Sequence, residues 1–367
     1  MVRTGETKVE DSARANVSAE DPIVVWGGGA IGGTLAAYWA RAGIPVRLVD
    51  RLSEHVQACR STGLVIEGKI EGFSQRIEAC TPDELQGRYS RIVLAVKADA
   101  TAAALSGLLP HLKDDGFILS AQNGLNEIEI ARHAGAGRTM GCFINFGADW
   151  LGPGRVLYGG RGEVWVGEID GSPRDRTRQM HRLLQVFEPD AVLTDNIFGV
   201  LWAKLAYASM LFASALNNDG MAGNFGDPAR EAVFVRLGQE VLAVARASGI
   251  EPAAFASFDP AAFALDAPAG SARRWLDVLA ERRRHAGKTH SGWWRDLAVR
   301  KRRTEVDHIL GVVVARGREC GIPTPALERL VRLVHDIEDG RRDLSIQTFD
   351  ELRNVCERLS RPTFAAR

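Results

Sequence analysis

Hydrophobic and polar positions follow two regimes along this chain. The first opens at Asp21, where Ile23-Val24-Val25-Trp26 forms a short apolar run. Small residues follow, and Gly32 to Arg41 then carries Leu35, Tyr38 and Trp39 at helical spacing. Gly43 closes that helix, as a glycine after the last turn does, and Val46 to Asp50 reads as a second strand. Strand, helix and strand within about thirty residues make a βαβ unit. Ile92 to Val96 and Phe117 to Ala121 are further strands, separated by a helix over about Ala100 to Leu112. The alternation predicts a parallel sheet covered on both faces. From Thr139 onward the segments Gly141 to Phe146, Arg155 to Tyr158 and Glu163 to Gly167 are read as antiparallel strands that finish this domain.

The second regime begins after Asp195, and the pattern is helical to about Leu359. The fold class is therefore an α/β N-terminal domain plus an all-α C-terminal domain. A boundary near Asp190 to Asn196 gives domains of 21–193 and 194–360. Within the second, Asp259 to Gly270 is a loop, Asn217 to Gly220 a turn, and Trp293 to Val314 one helix with Val306, Ile309, Leu310 and Val313 as its apolar stripe. Residues 1–20 are polar and are expected to be a disordered extension.

Composition narrows the classes of function. The 367 residues exceed what one core usually serves. Lys+Arg and Asp+Glu are both 46, so no net field draws the chain to nucleic acid or a charged membrane. No apolar run is long enough to span a bilayer. Cys59, Cys80, Cys142, Cys320 and Cys356 are widely spaced and odd in number, which predicts reduced thiols, no metal site and a cytoplasmic protein.

Candidate chemistry starts at Gly27-Gly28-Gly29-Ala30-Ile31-Gly32, a G-x-G-x-x-G placed between strand and helix, the context that makes the pattern informative. Gly27 allows the tight turn, Gly29 lets a pyrophosphate approach the backbone, and Gly32 lets helix and strand pack closely. The helix N-terminus, with Ala30 and Ile31, then meets the phosphate charge. This is a Rossmann-type dinucleotide site for NAD(P)H. Asp50 ends the second strand and is either a ribose partner, which favours NAD, or a strand-end cap; Arg51 beside it suits a 2′-phosphate instead.

Phe198 to Leu216 is apolar nearly all round and so predicts a buried helix. Lys204 is its only charged residue. Burial lowers a lysine's pKa and makes it a proton donor near neutrality; the alternative is an ammonium that reaches solvent. Glu305 lies one turn before Ile309, at the edge of the apolar stripe.

Five segments, in order, resemble the ketopantoate reductase family. They are Val25 to Gly33, Leu94-Ala-Val-Lys97, Gln122-Asn-Gly-Leu125, Leu201-Trp-Ala-Lys-Leu205 and Arg303-Thr-Glu-Val-Asp307. The resemblance implies NAD(P)H-dependent reduction of a 2-oxo acid to its 2-hydroxy acid, and a C-terminal domain like that of 6-phosphogluconate dehydrogenase. It implies Lys204 as general acid and Glu305 as the group that binds substrate or organises that lysine. Asn123 would hold the nicotinamide ribose and the lysine, Lys97 would lie near the cofactor, and Ser291 would bind substrate, although its spacing to Glu305 is longer here. It further implies a small-molecule 2-oxo acid as partner, a place in pantothenate biosynthesis and a homodimer.

The chain departs from the family where two asparagines follow the lysine at four and eight residues. Ala208 and Phe212 stand there, which points to a more apolar 2-oxo acid than ketopantoate. Two other readings remain: a cofactor-binding sensor on the same fold, and a dehydrogenase for an imine, amine or hydroxyacyl substrate.

Overall fold

The computed structural model describes residues 17–68, 70–285 and 288–360. Residues 1–16 of the expected N-terminal extension lie outside the described residues, but its last part is ordered. Val17 is buried in the first core, and Asp21 N–H donates to the Ser18 carbonyl. The chain forms two compact units, the first ending at Ile197 and the second beginning at Phe198.

The first unit contains strands β1 (Ile23–Trp26), β2 (Val46–Val49), β3 (Leu64–Glu67), β4 (Phe73–Gln75), β5 (Glu78–Cys80), β6 (Tyr89–Leu94), β7 (Leu112–Ser120), β8 (Thr139–Ile144), β9 (Gly147–Gly152), β10 (Arg155–Gly160), β11 (Val164–Glu168) and β12 (Val192–Leu193). Its helices are α1 (Ala30–Arg41), α2 (Ser53–Ser61), α3 (Thr101–Leu108), α4 (Asn126–Ala134) and α5 (Asp175–Phe187). The main sheet runs β12-β11-β8-β7-β6-β1-β2-β5. It is parallel from β5 to β8, and β11 returns antiparallel to β8. Side chains alternate into two cores. Ile23 and Val25 enter one, Val24 and Trp26 the other, so β1 must be apolar at every position.

A second sheet, β4-β3-β10-β9, was not expected from the sequence. Arg155 to Tyr158 belongs to it, paired antiparallel to β9 and parallel to β3, rather than finishing the main sheet. The two sheets grip α1 through adjacent glycines. An added Cβ at Gly32 would lie 3.0 Å from Val25 of the main sheet. At Gly33 it would lie 3.2 Å from Leu64 and 3.4 Å from Val156 of the second sheet. Tyr38 of α1 meets Phe73, Tyr158 and Phe187 edge-on, and Trp39 Nε1 donates to the Leu183 carbonyl at 2.6 Å. The helix expected to reach Leu112 stops earlier: α3 ends at Leu108, a 3₁₀ turn spans Leu109–His111, and Leu112 opens β7.

The second unit has α6 (Ile197–Ala213), α7 (Met221–Gly226), α8 (Glu231–Ala247), α9 (Ser271–His285), the single turn α10 (Gly292–Trp294), α11 (Val312–Cys320), α12 (Pro325–Glu338) and α13 (Ile346–Ser360). Its expected helix from Trp293 to Val314 is broken. After α10 come a π-helix over Arg295–Val299, an irregular stretch holding Lys301 at φ 49°, and a second π-helix over Asp307–Gly311. The first π-helix and the irregular stretch after it lie between Ser291 and Glu305, so the interval between those two residues is not one of regular α-helix. Glu240 of α8 caps α12: its carboxylate accepts from the N–H groups of Ala326 and Leu327 at 3.1 and 3.0 Å and from Arg236 at 2.8 Å. Burial nevertheless raises the Glu240 pKa. Among the described residues, no helix is long and apolar enough to cross a membrane.

Candidate functional site

In the first unit the candidate residues gather at the C-terminal ends of β1, β2, β6 and β7. Gly27 has φ 108°, and a Cβ there would lie 2.8 Å from Val96 N, so only glycine fits. At Gly32 a Cβ would come within 2.0 Å of the Gly27 carbonyl oxygen. At Gly29, between them, an added Cβ would meet nothing within 4 Å. The loop is thus packed underneath and open above. Gly29 is also the N-cap of α1 and supplies no side-chain cap, which leaves the N–H groups of Ala30 and Ile31 to an outside acceptor. An open glycine over an uncapped twelve-residue helix suits a pyrophosphate.

Asp50 lies just beyond β2. Its Oδ2 accepts from Gly28 N–H at 2.8 Å and its Oδ1 from Leu52 N–H at 2.9 Å. The carboxylate therefore does cap the strand end, and it fixes the glycine loop in the same act. Each carboxylate oxygen has a second lone pair, so capping and ribose binding are compatible. Arg51 beside it is exposed.

His55, absent from the sequence-based candidates, sits directly under this loop. A Cβ on Gly28 would lie 2.7 Å from its Nε2, and its Nδ1 accepts from Gly154 N–H at 2.9 Å. That bond requires the neutral ring. Burial lowers the His55 pKa, against the opposing pull of the Asp50 charge. Nothing in the sequence linked residue 55 to residue 154, because the contact joins α2 to the β9–β10 turn.

Lys97 and Asn123 are exposed, each just beyond a strand. β6 ends at Leu94, three residues before Lys97, so the lysine belongs to the following loop rather than to the strand. Asn123 precedes Gly124, whose φ of 99° makes the turn. That turn is held from behind. Gln122 Nε2 donates to the Val96 carbonyl at 3.0 Å and to Thr101 Oγ1 at 2.8 Å. Thr101 Oγ1 donates to Asn126 Oδ1 at 3.0 Å, and Asn126 Nδ2 donates to the Asn123 carbonyl at 2.7 Å. The network locks the backbone of both loops together. Sequence reasoning missed the supporting roles of these three residues because the bonds made by Gln122 and Thr101 join two loops separated by more than twenty positions of chain.

The second unit carries the other candidates. From Leu201 to Ala213, every residue of α6 is buried except Lys204 and Leu211. Ala208, 6% exposed, lies between them at helical spacing, so Lys204, Ala208 and Leu211 form one accessible line. Phe212 is not on it. Its ring is fully buried and stacks on Trp293 at 4.0 Å and 17°. Ser291 is buried and caps α10, accepting from Trp294 N–H at 3.1 Å, which leaves its hydroxyl hydrogen to donate elsewhere.

Around Glu305 the segment is pinned to α12. Thr304 donates through both N–H and Oγ1 to Glu338 Oε1 at 2.7 Å, Arg303 pairs with Asp339 at 2.5 Å, and Asp307 meets His335 at 3.0 Å. Glu305 is half-buried between these anchors, and its carbonyl accepts from Ile309 N–H at 3.0 Å, which starts the helical turn. A cleft of about 440 Å³ lies elsewhere, beside β11 and β12, lined by Trp165, Arg174, Thr177 and Leu193; it contains none of these residues. Among the described residues no cluster of His, Cys, Asp and Glu could hold a metal ion.

The model of the ketopantoate reductase PanE/ApbA family matches residues 23–171, and that of the ketopantoate reductase PanE/ApbA C-terminal domain matches 196–338. The chain is 26% identical over 318 residues to a 2-dehydropantoate 2-reductase of Halobacterium salinarum, covering 85% of this chain and 97% of the relative. A PanE/ApbA family ketopantoate reductase from Ralstonia eutropha superposes with a TM-score of 0.71 at 28% identity, over 88% of this chain and all of that one. A D-mandelate dehydrogenase, solved with NADH and anilino(oxo)acetate, shares the fold with a TM-score of 0.74 at 22% identity, over 87% and 98% of the two chains.

Proposed function

The chain belongs to the ketopantoate reductase PanE/ApbA family and is an oxidoreductase acting on CH–OH, and from that premise we propose that it reduces a 2-oxo acid more apolar than ketopantoate, using NADH, with Lys204 as the proton donor. The observation that carries the reading is the accessible line of α6, where the one charged residue of an apolar helix is followed by Ala208 and Leu211.

Reduction of a ketone opens the C=O π bond, with a C–H bond forming at carbon and an O–H bond at oxygen. Bound in its reduced form, the nicotinamide supplies the hydride and is itself oxidised. The residues of the chain do the rest. The N–H groups of Ala30 and Ile31 hold the pyrophosphate beside Gly29, and Asp50 holds the adenosine ribose and repels a 2′-phosphate. Lys97 and Asn123 bind toward the nicotinamide end. The Lys204 ammonium stabilises the negative charge that grows on the substrate oxygen, then gives it a proton. Glu305 orients that ammonium or the substrate, and the Ser291 hydroxyl donates to the substrate carboxylate. The fold also serves a D-mandelate dehydrogenase, so fold alone leaves the side chain of the oxo acid open.

A panel of 2-oxo acids, followed by loss of NADH and of NADPH absorbance, tests this reading. Expected are turnover of apolar 2-oxo acids ahead of ketopantoate and a higher kcat/KM with NADH. Oxidation of neither cofactor by any oxo acid would contradict it.

A further inference from the structure

The second unit presents one aromatic surface for which α6 alone gives no reason. Phe212 lies two turns beyond Lys204, about 12 Å along the axis. One face of its ring is covered by the Trp293 indole at 4.0 Å, nearly parallel. Phe212 is fully buried, whereas Trp293 is only half-buried. The phenyl ring thus serves as a backing plate, and the indole is the surface on offer. Its neighbours hold it rigid. Ser291 caps the turn that carries it, and Trp294 stacks on His290 at 3.9 Å. Beside it, a Cβ added at Gly292 would meet nothing within 4 Å, so the space there is open.

Resting on the reductase reading above, we propose that Trp293, backed by Phe212, selects an aromatic substituent on the 2-oxo acid. A ligand whose carbonyl oxygen meets Lys204 has Ala208 and Leu211 along its flank, both without hydrogen-bonding groups. A hydroxylated aliphatic chain laid there loses its water and gains no partner. A flat aryl group loses no hydrogen bond and adds a third ring to an existing stack. Trp293 is a specificity-determining residue in this account, and Phe212 a positioning residue that acts through it.

The test compares phenylglyoxylate with ketopantoate in the wild-type enzyme, W293A and W293F, with NADH as donor. The wild type is expected to favour phenylglyoxylate in kcat/KM, and W293A to lower the aromatic-to-aliphatic ratio by at least ~10-fold, mostly through KM. W293F, which keeps a ring, is expected to restore most of the ratio. A purely structural tryptophan would lower both substrates together and leave the ratio unmoved, which would overturn the proposal, as would a wild-type preference for ketopantoate. Binding of mandelate, followed calorimetrically in the same proteins, separates the two levels of the argument. If no oxo acid turns over but mandelate binds in a Trp293-dependent way, the reductase reading fails and the aryl subsite stands. Binding that is absent, or unchanged in W293A, overturns the aryl subsite.

Discussion

At the scale of single residues, Asp50 and His55 show how closely binding and folding are joined under the glycine loop. Asp50 holds Gly28 and Leu52 through its two oxygens, so its charge is fixed where the ribose of a bound dinucleotide lies in such folds. Asp50→Asn keeps an acceptor for one N–H and removes the repulsion toward a 2′-phosphate. The ratio of kcat/KM for NADH to that for NADPH is expected to fall by ~10-fold, the size of one charged hydrogen bond; an unchanged ratio would assign Asp50 to capping alone. His55 makes a prediction about pH. Its Nδ1 accepts a backbone N–H, and burial holds its folded pKa below the usual 6.5. The unfolded chain therefore binds the proton more readily between those two values. Stability from this group is full above about pH 6.5 and is lost as pH falls toward the lowered folded value. Thermal melts from pH 7.5 to 5.5 are expected to decline less steeply in His55→Asn, whose Oδ1 can accept from Gly154 without titrating.

At the scale of elements, what the sequence disclosed depended on how local each signal was. The β1–α1–β2 unit was legible because glycines, strand and helix are adjacent, and α6 because seventeen nearly apolar residues admit little else. The second sheet was not legible. Its strands are only three to six residues long, and the pairing that joins its two hairpins, β3 to β10, links chain segments about ninety residues apart that no window of sequence contains. The π-helices after Trp294 were hidden for another reason: a one-residue expansion shifts the apolar stripe without erasing it. Phe212 was read as facing substrate from its position after Lys204, and its burial under Trp293 depends on a residue eighty-one positions later. Two variants probe the elements directly. Gly29→Ala adds a methyl in open space, so the unliganded protein is expected to keep its stability within ~0.5 kcal/mol while NADH affinity drops. Gly32→Ala drives a Cβ into backbone and is expected to cost at least ~2 kcal/mol by denaturant titration. In the second unit, Glu240→Ala strips α12 of its cap and leaves buried N–H groups unpaired, with an expected loss of ~2–3 kcal/mol in the same titration.

At the scale of the whole molecule, labour is divided between the two units. The first brings the open glycine, Asp50, Lys97 and Asn123 to the ends of its strands, and the second sets Lys204 and the aromatic stack on helices and Glu305 just ahead of a π-helical turn. The net charge of zero supplies no long-range attraction for an anionic oxo acid, so selectivity rests on local contacts. A nicotinamide cofactor that binds the folded chain stabilises it by mass action, about 2.7 kcal/mol at a hundredfold excess over Kd. A melting temperature that rises with NADH in the wild type, and barely moves in Gly29→Ala, is the expected pattern.

The central claim is that Lys204 gives the proton that completes ketone reduction. Single-turnover kinetics of Lys204→Ala, with NADH affinity measured on the same preparation, tests it most directly. The account predicts a rate at least ~100-fold below wild type with cofactor affinity within a few-fold. A variant that binds NADH normally and reduces phenylglyoxylate at close to the wild-type rate would contradict it.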